Sequence, residues 1–151
     1  MLPFDRLIRE MDRWSETGGD EVFAQIGAGR YIPRNMKYAR IVEPGEFRKY
    51  LELADVIVAH AGMGCIIQAR EIQRPIVLFP RRAALREHTT DHQMDTLNHF
   101  GSLEGVYVAR DVADLHSRIE EARHFAPTGE GLSPLASASF VARVRAALLN
   151  D

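Results

Sequence analysis

Apolar residues at Phe4, Leu7, Ile8, Met11 and Trp14 recur at the three- and four-residue spacing of one helix face, and the run stops at Gly18-Gly19. The chain is therefore expected to open on a helix. Glu21 to Ile26 reads as a short strand closed by Gly27-Ala28-Gly29, and Tyr38 to Val42 as a second strand ahead of Pro44. Pro44 to Glu46 then starts a helix whose apolar positions are Phe47, Tyr50, Leu51 and Leu53. Asp55 to Ala59 and Pro75 to Pro80 are nearly continuous apolar runs rich in β-branched residues, the pattern of strands buried on both faces of a parallel sheet. Between them Gly62 to Arg74 is long enough for a crossover helix, which makes a βαβ unit. A helix from Asp91 to Phe100, a strand from Gly105 to Ala109 and a helix from Val112 to Arg123 follow. Phe125 to Pro134 reads as a loop. The spacing of Leu135, Val141, Val144 and Leu148 predicts a terminal amphipathic helix over 134–149.

Strands that alternate with helices give an α/β fold, a Rossmann-like parallel sheet flanked by helices. The 151 residues fit one domain, 1–151, with a radius of gyration of about 15 Å. A hydrophobic share of 46% against 26% charged residues argues for a packed core rather than disorder. The formal charge of −2 excludes a strongly basic nucleic-acid binder, so no nucleic acid is expected as a partner. One cysteine, Cys65, cannot form an intramolecular disulfide, and no apolar run approaches the roughly 20 residues of a membrane span. The first residues lack the basic start and apolar middle of a signal peptide, which points to the cytoplasm.

The most informative stretch is His60-Ala61-Gly62-Met63-Gly64-Cys65, where a strand passes into a helix. Ligands of parallel α/β sheets bind at the carboxyl ends of the strands, and a helix amino end there attracts phosphate. A dinucleotide fingerprint needs a third glycine, where Ile67 stands, and an acidic residue about 20 positions on, where Arg82 stands. No Gly-Lys-Ser/Thr loop is present either. The glycines also fit a turn with no ligand, His60 a half-buried imidazole satisfied by backbone, and Cys65 a small first-turn residue rather than a nucleophile.

A second cluster is Glu87-His88-Thr89-Thr90-Asp91-His92-Gln93-Met94-Asp95. His88, His92 and Asp95 have a spacing that could hold a divalent metal, the basis of a metal-dependent hydrolase reading. Thr89 stands where the metalloprotease pattern needs Glu, so no metal is expected; Asp91 reads as a helix cap, and His92-Gln93 as polar groups facing the crevice. Arg81 and Arg82 follow Pro80 and suit phosphate or a partner's carboxylates, or equally a solvated loop.

Taken in order, the strand, His60-Ala-Gly-Met-Gly-Cys, the helix, Arg74-Pro75, Pro80-Arg81-Arg82 and Glu87-His88-x-x-Asp91-His92-Gln93 resemble the carboxyl-terminal half of family 28 glycosyltransferases of the GT-B type. The resemblance is closest to the small, PssE-like subunits of two-component bacterial exopolysaccharide and capsule enzymes. Leu2-Pro3-Phe4-Asp5-Arg6-Leu7-Ile8 and Phe23-Ala24-Gln25-Ile26-Gly27 are similar to that group as well, so the likeness runs from residue 2 to about residue 124.

The resemblance implies a UDP-sugar in the crevice, with Gly62, Met63, Gly64 and Cys65 at the diphosphate, His60 beside it, and His92 and Gln93 near the sugar. Gln68 stands where a relative's glutamate holds the ribose hydroxyls, and Glu71 is a second ribose candidate. Cys65 stands where relatives carry Ser or Thr. Relatives also begin with a short apolar strand ending in Gly-Thr-Gln ahead of the Leu-Pro-Phe-Asp segment, whereas Met1 directly precedes it here. The domain is therefore expected to lack its first strand, because the natural start lies upstream or because the gap is tolerated.

The acceptor and base belong to the other half of such enzymes. The implied partner is a membrane-associated subunit that carries a polyprenyl-diphosphate-linked acceptor and holds this chain at the inner face of the membrane. No cofactor is implied beyond the UDP-sugar substrate. The competing expectation is a noncatalytic or degenerate partner module of such an enzyme.

Overall fold

The computed structural model describes residues 2–18, 20–87, 97 and 100–128. Its elements alternate as the apolar pattern predicts: α1 (Asp5–Gly18), β1 (Phe23–Gln25), β2 (Lys37–Ala39), α2 (Pro44–Leu53), β3 (Ile57–Ala59), α3 (Met63–Glu71), β4 (Ile76–Leu78), β5 (Val106–Val108) and α4 (Val112–Arg123). A single 3-10 turn, Ala83–Leu85, follows β4. Leu97 and Phe100 are helical and buried, where the Asp91 to Phe100 helix is expected. The remainder of that helix and the 134–149 helix lie outside the described residues.

Among the described residues the strands form two parallel sheets rather than one. β1 pairs with β2 in the register Phe23↔Lys37, Ala24↔Tyr38 and Gln25↔Ala39. β4 lies between β3 and β5, with Val77 opposite Val58 and Tyr107. This position decides burial. All three residues of β4 are buried, whereas in β3, an edge strand among the described residues, only Ile57 is buried and Val58 and Ala59 are half-buried. The apolar run at 55–59 thus overstates the burial of its strand. β2 also starts one residue earlier than the pattern predicts, and Ile41, past its end, is 81% exposed.

Side chains alternate across β4 and so seed two cores. Val77 and Phe79 join Leu7, Ile8 and Met11 of α1 and Leu115, Ile119 and Ala122 of α4. Ile76 and Leu78 join Ile66 and Ala69 of α3 and Phe100, with Leu51 of α2 at the margin. Full burial of each such aliphatic or aromatic side chain contributes about 1.5–3 kcal/mol, so the central strand is the best-anchored part of the fold.

α1 joins the two sheets. Its first residues hold the carboxyl ends of both: the Asp5 carboxylate accepts from the Arg30 amide after β1, at 3.0 and 3.2 Å, and Arg6 donates to the Pro80 carbonyl after β4 at 2.7 Å. The two sheets therefore point their carboxyl ends the same way. Deeper in α1, the buried carboxylate of Asp12 accepts from the Tyr31 hydroxyl at 2.6 Å and from the Arg34 and Asn35 amides at 2.9 and 2.7 Å. Two carboxylates one helix face apart thus shape the β1–β2 connection, which turns on Gly27 at φ 54°. At the far end of α1, the Trp14 indole and the Arg123 guanidinium of α4 both donate to Asp20.

Candidate active site

The carboxyl ends of β3 and β4, the start of α1 and the start of α3 enclose the region in which the sequence places its chemistry. β3 ends at Ala59; His60 is half-buried and Ala61 buried. The chain turns through Gly62, whose amide donates to the His60 carbonyl at 2.7 Å, and α3 begins at Met63. The His60 imidazole folds back over Gly62 and fills the place of a side chain there: a Cβ on residue 62 would stand 2.9 Å from His60 Cδ2 and closer still to Nε2. A side chain at residue 62 would have to displace the His60 imidazole, while the backbone angles of Gly62, φ −101° and ψ 134°, suit any residue.

Gly62 is the N-cap of α3 and offers no side-chain cap. Its carbonyl takes the amides of Cys65 and Ile66 at 3.1 and 3.4 Å. The amides of Met63 and Gly64 find no partner among the described residues. They carry the positive end of a nine-residue helix. Among the described residues, nothing lies within 4 Å of the point a Cβ of Gly64 would occupy. An uncapped helix start beneath open space can receive anionic oxygens, which accept from the two amides.

The helix separates its residues by face. Ile66 and Ala69 are fully buried, Met63 and Cys65 half-buried, and Gly64, Gln68 and Glu71 exposed at four- and three-residue steps along one side. The amide and the carboxylate therefore follow the open glycine along a single face, where both can hydrogen-bond hydroxyl groups. Burial pushes the Cys65 thiol up, an effect the Arg81 charge only partly opposes. The thiol stays protonated at neutral pH, which leaves Cys65 as a small packing residue rather than a nucleophile.

Arg81 departs from the solvated-loop reading. It is 7% exposed, and its Nη1 donates to the Leu2 carbonyl at 2.9 Å and the Glu87 carbonyl at 3.1 Å. Its guanidinium lies 4.9 Å from the centre of the Phe4 ring. Burial weakens its hold on its proton while Glu87 and Cys65 strengthen it, and an arginine in this setting remains a cation. Arg82 is exposed; its guanidinium donates to the Arg110 carbonyl at 2.9 Å.

Two residues whose pairing no local sequence signal announces organise this corner. Arg6 grips the Glu87 carboxylate with two parallel bonds, Nε to Oε1 at 2.9 Å and Nη2 to Oε2 at 2.8 Å, and Glu87 also accepts from the Arg82 amide at 3.0 Å. They are 81 positions apart, a pairing that no periodicity announces. Arg6 does fall within the Leu2-Pro3-Phe4-Asp5-Arg6 segment that carries part of the family resemblance. His92 and Gln93, together with His88 and Asp95, lie outside the described residues. Among the described residues no three His, Cys, Asp or Glu side chains are grouped to hold a metal ion.

Comparison with known proteins adds a family to this geometry. The profile described as glycosyltransferase family 28 C-terminal domain matches residues 2–147. Among solved structures, one described as the glycotransferase of kitacinnamycin superimposes with a TM-score of 0.58 at 22% identity, covering 96% of this chain and 38% of that one. The glycosyltransferase SnogD from Streptomyces nogalater matches at 16% identity and a TM-score of 0.45, covering 95% of this chain and 39% of its own. The chain thus spans less than two-fifths of the length of either. The first likeness shows a shared fold. No curated protein sequence matches.

Proposed function

The chain belongs to the glycosyltransferase family 28 C-terminal domain family, and from that premise we propose that it is the donor-binding part of a hexosyltransferase that uses a UDP-sugar. The observation that supports the reading is the start of α3, where the Met63 and Gly64 amides have no partner among the described residues and none of those residues lies within 4 Å of where a Gly64 Cβ would stand. The diphosphate accepts from these amides. Gln68 and Glu71, on the same exposed face, bond the ribose hydroxyls; His60 stands beside the diphosphate, and His92 and Gln93 serve the sugar.

In this reading an acceptor hydroxyl attacks the anomeric carbon as the bond to UDP breaks, and the negative charge that grows on the leaving diphosphate meets fixed amide dipoles. Donors aimed at developing charge stabilise the transition state more than the ground state. Arg81, buried next to the α3 start, adds positive potential without leaving its carbonyl partners. The attacking hydroxyl and its base come from a second, membrane-associated subunit bearing a polyprenyl-diphosphate-linked acceptor, as in exopolysaccharide or capsule synthesis. No helix among the described residues is long and apolar enough to cross a membrane, so this reading places the chain at the inner face of the membrane through that partner.

The test is sugar transfer to a polyprenyl-diphosphate acceptor by membranes prepared from cells that lack this chain, with and without the purified chain added. Restored transfer on addition is expected. Equal transfer without the chain, or none after its addition, would contradict the two-part reading.

A further inference from the structure

The formal charge of the chain is −2, yet residues 22–42 hold Arg30, Arg34, Lys37 and Arg40 and no carboxylate. The fold gathers the three arginines with a fourth from α1. Arg9 lies over the Tyr31 ring, 4.4 Å from its centre, and the charges of Arg9 and Arg34 both act on the Tyr31 hydroxyl. Arg30 precedes Tyr31 in the chain, and Arg40 donates to the Gly27 and Gly29 carbonyls at 3.2 and 3.1 Å. All four arginines are exposed, and none forms a salt bridge among the described residues. The carboxylates beside them are turned to other groups: Asp5 accepts from the Arg30 amide, and the buried Asp12 from the Tyr31 hydroxyl and the Arg34 and Asn35 amides. Glu10 is held by Arg13. The surface thus presents guanidinium groups to solvent and keeps its carboxylates beneath.

This surface is apolar as well as basic. Three of the six large hydrophobic side chains exposed among the described residues fall in the same stretch, Ile32 and Tyr38 at 42% and Ile41 at 81%, so water-facing apolar groups alternate with the cations. Tyr38 stands opposite Ala24 in register, and Ala24 packs in the core built on α1, so Tyr38 points to the side of the sheet on which Arg9 stands. Lys37, one residue earlier, points to the other side and pairs with Glu21. Arg30 follows the carboxyl end of β1 and Arg40 that of β2, which sets the patch at the end of the sheet where α1 begins.

We propose that this face docks on an anionic lipid bilayer, with Arg9, Arg30, Arg34 and Arg40 on lipid phosphates and Ile32 and Tyr38 at the boundary with the acyl chains. Charge complementarity and the exposed apolar groups together select the occupant. An acidic protein surface matches the arginines alone, whereas the bilayer interface matches both, because aromatic and aliphatic side chains enter the layer whose phosphates hold the cations. The inference stands apart from the donor reading, since it uses no residue assigned to the nucleotide or the sugar.

The test is co-sedimentation of the purified full chain with vesicles of equal parts phosphatidylglycerol and phosphatidylcholine, with pure phosphatidylcholine vesicles as the control. Binding to the anionic vesicles alone is expected, with loss between about 0.1 M and about 1 M salt as the screening length shortens. The double variant Arg30→Gln/Arg34→Gln should lower partitioning about twentyfold, close to fivefold for each arginine, at an unchanged melting temperature, since neither guanidinium bonds another described residue. Ile32→Ser should lower it about fourfold, the value of one methylene group kept in water. Equal binding to both kinds of vesicle, binding to neither, or unchanged partitioning of the folded double variant would overturn the proposal. So would unchanged partitioning of Ile32→Ser together with equally tight binding of soluble polyglutamate, which would assign the face to an acidic protein.

Discussion

The imidazole of His60 lies on Gly62, with Cδ2 only 2.9 Å from the place a Cβ would take, while the backbone of Gly62 is of a kind any residue adopts. The two positions are therefore coupled through space and not through conformation. Gly62→Ala alone is expected to displace the imidazole and cost about 1–3 kcal/mol, in the range of overpacking. In a His60→Ala background the same change should be nearly neutral. A double-mutant cycle by urea denaturation reads this as a coupling of about 1 kcal/mol or more, and additive losses would contradict it.

Gly64, two residues on, behaves oppositely. Its missing Cβ faces open space, so Gly64→Ala should leave stability unchanged or slightly raised, by at most about 1 kcal/mol from helix propensity. Gly64→Val should still fold yet weaken UDP by about tenfold, or 1.4 kcal/mol, by standing where the diphosphate approaches the amides. Thermal melts and a UDP titration on the same samples separate the two effects. A folded Gly64→Val chain with unchanged affinity would move the anion away from the α3 start.

Arg6 and Glu87 form a paired, largely buried bridge, with side chains 22% and 9% exposed. Loss of one partner leaves the other desolvated and uncompensated, so Glu87→Ala should cost about 3–5 kcal/mol, and also release the Arg82 amide. Replacing both by methionine should cost clearly less than the sum of the single losses. A double-variant cost equal to the sum of the two single costs would show that the bridge contributes nothing as a pair.

Asp12 predicts a pH dependence. Burial would raise its carboxyl, but the Tyr31 hydroxyl, the Asn35 and Arg34 amides and the Arg34 charge outweigh burial and hold it below the usual carboxylate range. A carboxyl that ionises at lower pH when folded gives full stabilisation above the unfolded range near pH 4, and loses it as pH falls through the lower folded value. The stability gap between the native chain and Asp12→Asn should therefore be constant from about pH 8 to pH 5 and shrink below about pH 4. A gap independent of pH down to about pH 2 would show that Asp12 is not held as the anion.

Local periodicity carried most of the element order. The apolar stripe of Phe4, Leu7, Ile8, Met11 and Trp14 is α1, ended at Gly18, and the β-branched run at Pro75 to Pro80 contains the buried central strand. What periodicity could not supply was lateral position. Asp55 to Ala59 looks as buried as the β4 run, but β3 lies at a sheet edge, and edge status depends on which strands arrive beside it. Charged residues hid their roles for a related reason. Arg81 and Arg82 are neighbours of one type, yet one is buried against the Glu87 carbonyl and the Leu2 carbonyl, the latter 79 positions away, and the other is exposed. The glycines of the 60–65 turn were legible as a candidate anion site, but their distinct reasons, a covering imidazole at Gly62 and open space at Gly64, needed coordinates.

The central claim is that this domain holds the donor's diphosphate at the start of α3. Isothermal calorimetry of the purified chain with UDP and UDP-sugars, with ADP as control and chelator present, tests it most directly. Saturable binding of UDP and its sugars, weak for ADP and lost in Gly64→Val, is the predicted result. A folded chain that binds neither UDP nor any UDP-sugar would contradict the account and favour a noncatalytic module that keeps the family fold.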